Sequence, residues 1–99
     1  MKILFLGDVV GLSGCRKITN DLLDQIKEND IDFVVINGEN ADDTGVGLTK
    51  EICKNFFDNG VDVITTGNHV WDQKDIMNFI DKENRLLRPK NLFEPAPGR

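Results

Sequence analysis

Five polar side chains that can bind metal ions or transfer protons follow three short apolar segments of the chain. They are the side chains of Asp8, Glu39, Asn40, Asn68 and His69. Carboxylate and amide oxygens with one imidazole nitrogen form a donor set that suits hard first-row metal ions. Two such ions about 3.5–4 Å apart can activate a water molecule and neutralise phosphate oxygens during in-line attack on phosphorus. These residue types therefore indicate metal-assisted phosphoryl chemistry.

Each position has a use in that chemistry and also a purely structural alternative. Glu39 has two carboxylate oxygens and can bridge two ions, while His69, next to a ligand, can protonate a leaving oxygen. Alternatively, Asp8 caps the turn or helix after its strand, and Asn68 only shapes a loop. Glu39 and Asn40 can equally form a turn, and a lone histidine often makes structural hydrogen bonds. Because such residues recur after a glycine at all three segments, the functional interpretation is favoured.

The apolar segments have the composition of short strands buried on both faces of a parallel sheet. They span residues 3–6, 31–36 and 61–64, are rich in β-branched side chains and are nearly continuous. Helix-like stretches follow each of them, which predicts a βαβαβα unit of the α/β class with right-handed connections. Since the carboxyl ends of parallel strands share one edge, the five polar side chains are expected to converge there.

Apolar periodicity and capping residues predict three helices. Their apolar faces comprise, in order, Ile18, Leu22, Leu23 and Ile26; Ile52, Cys53, Phe56 and Phe57; and Ile76, Met77, Phe79 and Ile80. Thr49 is predicted to cap the second helix. Asp72, with Asp75 three residues later, resembles a capping box at the start of the third. Trp71 and Ile76 have the spacing of a hydrophobic staple around that cap.

Residues 1–99 are predicted to form a single, incomplete domain. A chain of 99 residues is long enough for one small domain. Three or four strands are fewer than the five or six of an average sheet. Residues 91–93 are predicted to open a fourth strand, and residues 95–99 to form a loop. The sheet is therefore expected to be part of a larger domain.

Charge and composition argue against several classes of function. Seventeen acidic residues against twelve basic ones give a net charge of −5, so stable binding to nucleic acid is not expected. No apolar run approaches a membrane span, and the first residues lack a signal-peptide pattern, which predicts a cytoplasmic protein. Cys15 and Cys53 lack the spacing of a zinc ribbon or a redox pair and are expected to be free thiols in the core.

Other glycine-containing and acidic segments support weaker alternatives. Gly7, Gly11 and Gly14 resemble a dinucleotide-binding fingerprint, but their spacing differs from Gly-x-Gly-x-x-Gly. Binding of a nucleotide cofactor is therefore a minor alternative. The pair Asp42-Asp43 is expected to be solvated, and the alternative is contact with a residue that binds a metal. The segment 45–47 is expected to make its loop flexible.

Longer strings around the polar side chains resemble a known enzyme family. They are Leu6-Gly7-Asp8-Val9-Val10-Gly11, Asn37-Gly38-Glu39-Asn40-Ala41 and Thr66-Gly67-Asn68-His69-Val70-Trp71-Asp72. Together with Arg85-Leu86-Leu87-Arg88-Pro89, they are similar to the leading motifs of the calcineurin-like metallophosphoesterases, in particular the YmdB-type bacterial branch. The resemblance extends along nearly the whole chain.

The resemblance implies a fold, an activity and a role for each residue. The fold would be a four-layer α/β/β/α sandwich, of which this chain forms the N-terminal half. The activity would be hydrolysis of phosphodiesters, notably cyclic nucleotides, with two iron or manganese ions. Asp8 and Asn40 would hold the first ion, and Glu39 would bridge both. Asn68 would hold the second ion, and His69 would act as the general acid.

The same resemblance implies ligands that this chain does not contain. Members of the family complete the site with three histidines from the second half of a chain more than twice as long, whereas His69 is the only histidine here. The expected partners are a small phosphodiester substrate and either further copies in a homo-oligomer or a missing C-terminal half. The alternative hypothesis is a non-catalytic remnant or regulatory module that keeps the fold and at most a weak metal site.

Overall fold

A parallel sheet of four strands forms the centre of the molecule in the computed structural model, which describes residues 1–92 and 96–99. The strands are β1 (Ile3–Leu6), β2 (Phe33–Asn37), β3 (Val63–Thr65) and β4 (Leu86–Leu87). They lie in the order β1-β2-β3-β4, and every neighbouring pair is parallel. The predicted α/β class with a parallel sheet is therefore confirmed.

Helices connect the strands as the periodicity predicted. They are α1 (Gly11–Glu28), α2 (Lys50–Asp58) and the single turn α3 (Ile76–Phe79), which continues into a 3-10 turn at Ile80–Lys82. The hydroxyl of Thr49 accepts a hydrogen bond from the amide of Ile52, so Thr49 caps α2 as predicted. Phe56 and Cys53 of this helix are buried in the core cluster that includes the strand residues.

One face of the sheet carries the hydrophobic core. When consecutive parallel strands lie side by side in sequence order, right-handed connections place every helix on the same face. The burial pattern agrees, because Val34, Ile36, Ile64 and Leu86 are buried in one cluster with side chains of all three helices. The helix-side neighbours Leu4 and Leu6 of β1 are only partly buried against this cluster.

The opposite face of the sheet is apolar and largely uncovered. Ile3 and Phe5 of β1 expose 61% and 62% of their surface. Phe33 and Val35 on β2, and Val63 on β3, alternate with core residues and keep intermediate exposure. We call the surface formed by these side chains the open face: Ile3, Phe5, Phe33, Val35, Val63 and Leu87.

Several details of the helix predictions are wrong. Leu23 of α1 and Met77 of α3 were assigned to buried faces, but they expose 54% and 49% of their surface. The third helix begins at Ile76 with Asp75 at its N-cap position, and no side chain caps it. The capping box around Asp72 therefore does not form, because residues 71–75 are turns and bends. Trp71 nevertheless packs against the core cluster that contains Ile76.

The fourth strand also differs from its predicted position. It lies at Leu86–Leu87 and pairs with β3, whereas Asn91 and Leu92 lie in a turn and a bend. Residue 93, the last of the predicted strand, falls outside the described residues. Residues 96–99 form no helix or strand, as expected, and residue 95 is not described. A two-residue strand is too short to produce a periodic signal in the sequence.

Candidate metal centre at the carboxyl edge of the sheet

The loops after β1, β2 and β3 lie side by side at the carboxyl edge of the sheet. The amide of Val9 donates to the carbonyl of Asn37 at 3.2 Å, and the amide of Gly38 donates to the carbonyl of Thr65 at 2.9 Å. These bonds extend the parallel ladder past the strand ends. They hold the loops that carry the predicted site residues next to one another.

Asp8 and Asn40 are in direct contact across two of these loops. The amide Nδ2 of Asn40 donates to Oδ2 of Asp8 at 2.8 Å. The backbone carbonyl of Asn40 also accepts from the amide of Gly11 at 2.9 Å. Both the main chain and the side chain of Asn40 are therefore bonded to the first loop. These bonds fix the position of Asn40 relative to Asp8, the other predicted ligand of the first ion.

The side-chain oxygen of Asn40 has no hydrogen-bond partner. This atom, Oδ1, is buried, and no donor among the described residues satisfies it. A buried carbonyl without a partner costs about 1–3 kcal/mol, and a bound water or ion is one way to satisfy it. An amide oxygen beside the Asp8 carboxylate is a suitable ligand for a hard cation. These donors fit the first metal position that the family resemblance implies.

Glu39 reaches from the second loop to the third. Its carboxylate lies against Gly67 so closely that a Cβ atom on that residue would be 2.1 Å from Oε2. The backbone amide of His69 faces the same oxygen at 3.5 Å. Any other residue at position 67 would require this carboxylate to move. The structure thus explains the glycine before Asn68 by close packing against a predicted bridging ligand.

The ring of His69 is in contact with the carboxylate of Asp72. Its ring Nδ1 lies 2.8 Å from Oδ2 of Asp72, and both side chains are 38% exposed. The sequence pattern around Asp72 predicts a helix cap and not this contact with His69. The signal was present in the spacing of His69 and Asp72, three residues apart, which brings the side chains together in a turn.

Asn68 is the predicted ligand that the structure places least firmly. The residue is exposed, and no hydrogen bond among the described residues joins its side chain to the other four. Nor do three or more His, Cys, Asp or Glu side chains come together as a metal-binding group in the described ranges. The contacts therefore form two pairs: Asp8 with Asn40, and Glu39 with the backbone at 67–69. The peptide bond between Glu39 and Asn40 links the two pairs. The assignments of all five residues stay predictions.

The loop after Asn40 is fixed by packing, contrary to the flexibility expected for its glycines. Gly47 is buried with a φ of +82°, and a Cβ atom there would lie 2.8 Å from Cγ of Gln73. Gln73 donates to Oδ2 of Asp42 and to the carbonyl of Val46, both at 3.1 Å. Asp42 therefore organises this loop rather than remaining solvated.

Both cysteines are free and buried, as predicted. The thiol of Cys15 lies 3.1 Å from the carbonyl of Ala41 and donates to it. Burial, with smaller contributions from Asp43 and Asp42, raises the pKa of Cys15. Burial, followed by the negative charges of Asp75 and Glu83, raises the pKa of Cys53 well above the ordinary thiol range. Both thiols therefore stay protonated at neutral pH, which makes them poor nucleophiles and poor metal ligands.

No helix in the described ranges combines the length and apolar character needed to cross a membrane.

The chain is similar in sequence to a known protein family and to a bacterial enzyme. The model of the family described as YmdB-like protein matches residues 4–99. A "2',3'-cyclic-nucleotide 2'-phosphodiesterase" of Bacillus subtilis is 45% identical over 100 aligned positions, which cover all of this chain and 37% of that protein. The chain thus spans about a third of the length of this relative.

Two solved structures have the same fold over the same region. One is a hypothetical protein from Thermus thermophilus, with a TM-score of 0.89, 35% identity and coverage of 100% of this chain and 38% of that one. The other, described as a novel phosphatase, is from Mycoplasma pneumoniae, with a TM-score of 0.89, 34% identity and coverage of 99% and 36%. Since the family model matches nearly every residue, the chain belongs to the YmdB-like protein family.

Proposed function

We propose that this chain forms the N-terminal part of a metal-dependent phosphodiesterase that hydrolyses cyclic nucleotides or related small phosphodiesters. The observation that carries the proposal is the unpaired, buried Oδ1 of Asn40 beside the Asp8 carboxylate. The name of the relative from Bacillus subtilis supports the substrate class. The similarity to a solved phosphatase supports the reaction class.

Each predicted residue has a defined task in this proposal. Asp8, Glu39, Asn40 and Asn68 are the residues that would hold the iron or manganese ions. The ions, when bound, supply a water of lowered pKa and positive charge next to the phosphate oxygens. Glu39 is held in place by Gly67 and the amide of His69, which limits its freedom before any ion binds.

His69 has the task of protonating the leaving oxygen. Its imidazole follows Asn68 directly and is partly exposed, so a substrate bound at the carboxyl edge can reach it. Transfer of a proton from the imidazolium to the departing oxygen produces an alcohol and a neutral ring.

A non-catalytic module is the second candidate, and two observations favour it. His69 is the only histidine in the sequence. Among the described residues no three acidic, cysteine or histidine side chains form a metal-binding group. Such a module would keep the fold and bind one metal ion weakly through Asp8 and Asn40.

The open face supports the proposal that a second layer covers it, which is either the C-terminal half that the family resemblance implies or a second copy of this chain. Ile3 and Phe5 are large, exposed and next to each other on one surface of the edge strand β1. An apolar sheet face of this kind is normally covered by a second layer. Two copies packed face to face would cover both surfaces at the spacing of about 10 Å found between stacked sheets. A cytoplasmic location likewise stays a proposal.

Hydrolysis of 2',3'-cyclic AMP by the purified chain with added manganese tests the proposed function. The matched control is the His69→Ala variant under the same conditions. Turnover that disappears in this variant supports the phosphodiesterase. Absence of turnover, together with retained manganese binding that Asp8→Asn weakens, supports the non-catalytic module instead.

A further inference from the structure

A groove lies on the helix side of the sheet, opposite the open face. One wall is α2, where Lys50, Lys54 and Phe57 follow at intervals of four and three residues and therefore share one face of the helix. The other wall is the segment 79–85, which leads into β4. The groove has a volume of about 390 Å³, within the range of small-molecule sites, and none of the five predicted site residues lines it.

Positive charge is concentrated in this groove, although the chain as a whole has a net charge of −5. The cationic side chains that line it are Lys50, Lys54, Lys82 and Arg85, and the acidic ones are Asp58 and Glu83. The carboxylate of Glu83 is occupied by Arg85, with Oε1 2.7 Å from Nη2. None of the three lysine ammonium groups forms an ion pair with a residue that the structure describes. Ammonium groups that are free on both walls of one groove suit the binding of a phosphate.

The groove also contains a flat cationic group that is held in place. The guanidinium carbon of Arg85 lies 3.9 Å from the centre of the Phe57 ring and covers it. Glu83 fixes the guanidinium there, because Nε of Arg85 donates to Oε1 of Glu83 at 2.7 Å. The Arg85 side chain is nevertheless 51% exposed. A planar guanidinium that is fixed on one side and half exposed is a surface on which the base of a nucleotide can stack.

We propose that this groove binds a nucleoside phosphate, whose base stacks on Arg85 and whose phosphate is contacted by the lysines of the two walls. Each part of this ligand matches a separate feature of the groove. A free phosphate would use the lysines but not the flat guanidinium. An acidic peptide would match the charge but has no base to stack on Arg85. The groove needs no metal ion for this binding, so it is separate from the proposed catalytic centre and does not depend on the proposed function.

Isothermal titration calorimetry of the chain with AMP and EDTA tests the proposal, because the chelator removes any binding that depends on a metal at the carboxyl edge. Lys50 lies beside Asp75, whose carboxylate accepts from its backbone amide at 3.4 Å, so Lys54 and Lys82 are the lysines to replace. We expect Lys54→Gln and Lys82→Gln each to weaken AMP binding about three- to tenfold, since each removes a charged contact to the phosphate. Lys27→Gln, which changes an exposed lysine of α1, is the matched control and should bind AMP like the parent.

Titrations with adenosine and inorganic phosphate separate the two parts of the ligand. AMP is expected to bind more tightly than either, and Arg85→Lys, which keeps the charge but loses the planar group, should remove most of the advantage of AMP over phosphate. An advantage that Arg85→Lys leaves unchanged would overturn the stacking on Arg85. Phosphate that binds as tightly as AMP in the parent would reduce the groove to an anion site and overturn the nucleotide assignment.

Three further results would also overturn the assignment. They are the absence of AMP binding, AMP binding that both lysine variants leave unchanged, and displacement of AMP by a polyglutamate peptide of higher affinity. The last result would assign the groove to an acidic protein partner. Because no metal ion and no turnover enter these measurements, an inactive chain would contradict the proposed function without affecting them.

Discussion

The carboxylate of Glu39 packs against the α-carbon of Gly67, and a methyl group there would lie 2.1 Å from Oε2 and 2.5 Å from Cδ. Two loops that are distant in sequence are thus in direct contact at the place where a bridging ligand is predicted. Glu39 contributes its carboxylate to this contact, and Gly67 leaves room for it because it has no side chain.

Gly67→Ala is expected to displace the Glu39 carboxylate and to destabilise the fold by about 0.5–1 kcal/mol, because the added methyl group collides only with the end of a flexible side chain. Gly67 does not have a positive φ, so the cost comes from the clash rather than from backbone strain. Urea unfolding measures the difference in the free energy of unfolding between the variant and the parent. In the Glu39→Ala background the same change should cost much less, since the carboxylate is gone. Equal costs in both backgrounds would show that the clash is not with Glu39.

Asn40→Ala and Asp8→Asn are expected to weaken manganese binding about tenfold or more, because each removes an oxygen donor or a negative charge from the first metal position. Titration followed by electron paramagnetic resonance of free manganese measures the affinity. Asp24→Asn, on the exposed surface of α1, controls for the loss of one negative charge. If all three variants bind manganese like the parent, Asp8 and Asn40 are not ligands.

The sequence was sufficient to predict the parallel sheet and the edge where polar side chains gather. Strand β1 was predicted without error, and β2 and β3 within two residues, because short apolar segments followed by a glycine leave few alternatives. Helix α2 was predicted from apolar periodicity together with a capping threonine that the structure confirms. These signals are local, so a single sequence carries them.

Features that depend on particular side-chain contacts were not predicted. Asp72 followed by Asp75 has the pattern of a helix cap, but the side chain of Asp72 bonds the ring of His69 and the helix starts four residues later. Gly47 suggested flexibility, yet it is buried because Gln73 packs against it. For Gly47 the partner lies elsewhere in the fold, and local propensity gives no information about it. For Asp72 the partner is only three residues away, but the pattern of a helix cap took precedence over that spacing.

Replacing Phe5 with lysine is expected to shift the chain toward a monomer, because the charge would have to be buried between two open faces. Sedimentation velocity across a range of concentrations measures the association. Met77→Lys is the matched control, since Met77 is 49% exposed but lies on the helix side of the sheet. A parent chain that is monomeric at every concentration, or equal association of both variants, would contradict the proposed pairing through the open face.

Stability should fall as the pH rises above the ordinary thiol pKa, and Cys53 should cause part of that fall. Its side chain is 1% exposed, and burial raises its pKa above the ordinary thiol value of 9.0. Above about pH 9 the unfolded chain loses this thiol proton while the folded chain retains it. The unfolded state is then favoured, so the free energy of unfolding decreases by about 1 kcal/mol between about pH 8 and pH 10 from this group.

The Cys53→Ala variant separates this effect from other titrations in the same range. The lysines and Cys15 are present in both proteins, and the chain contains no tyrosine. The variant is expected to be less stable than the parent at about pH 8, because it loses a buried sulfur. Its stability should then decline less steeply toward about pH 10, so the two urea-unfolding curves approach each other. Parallel declines would mean that the Cys53 thiol ionises equally in the folded and unfolded chains.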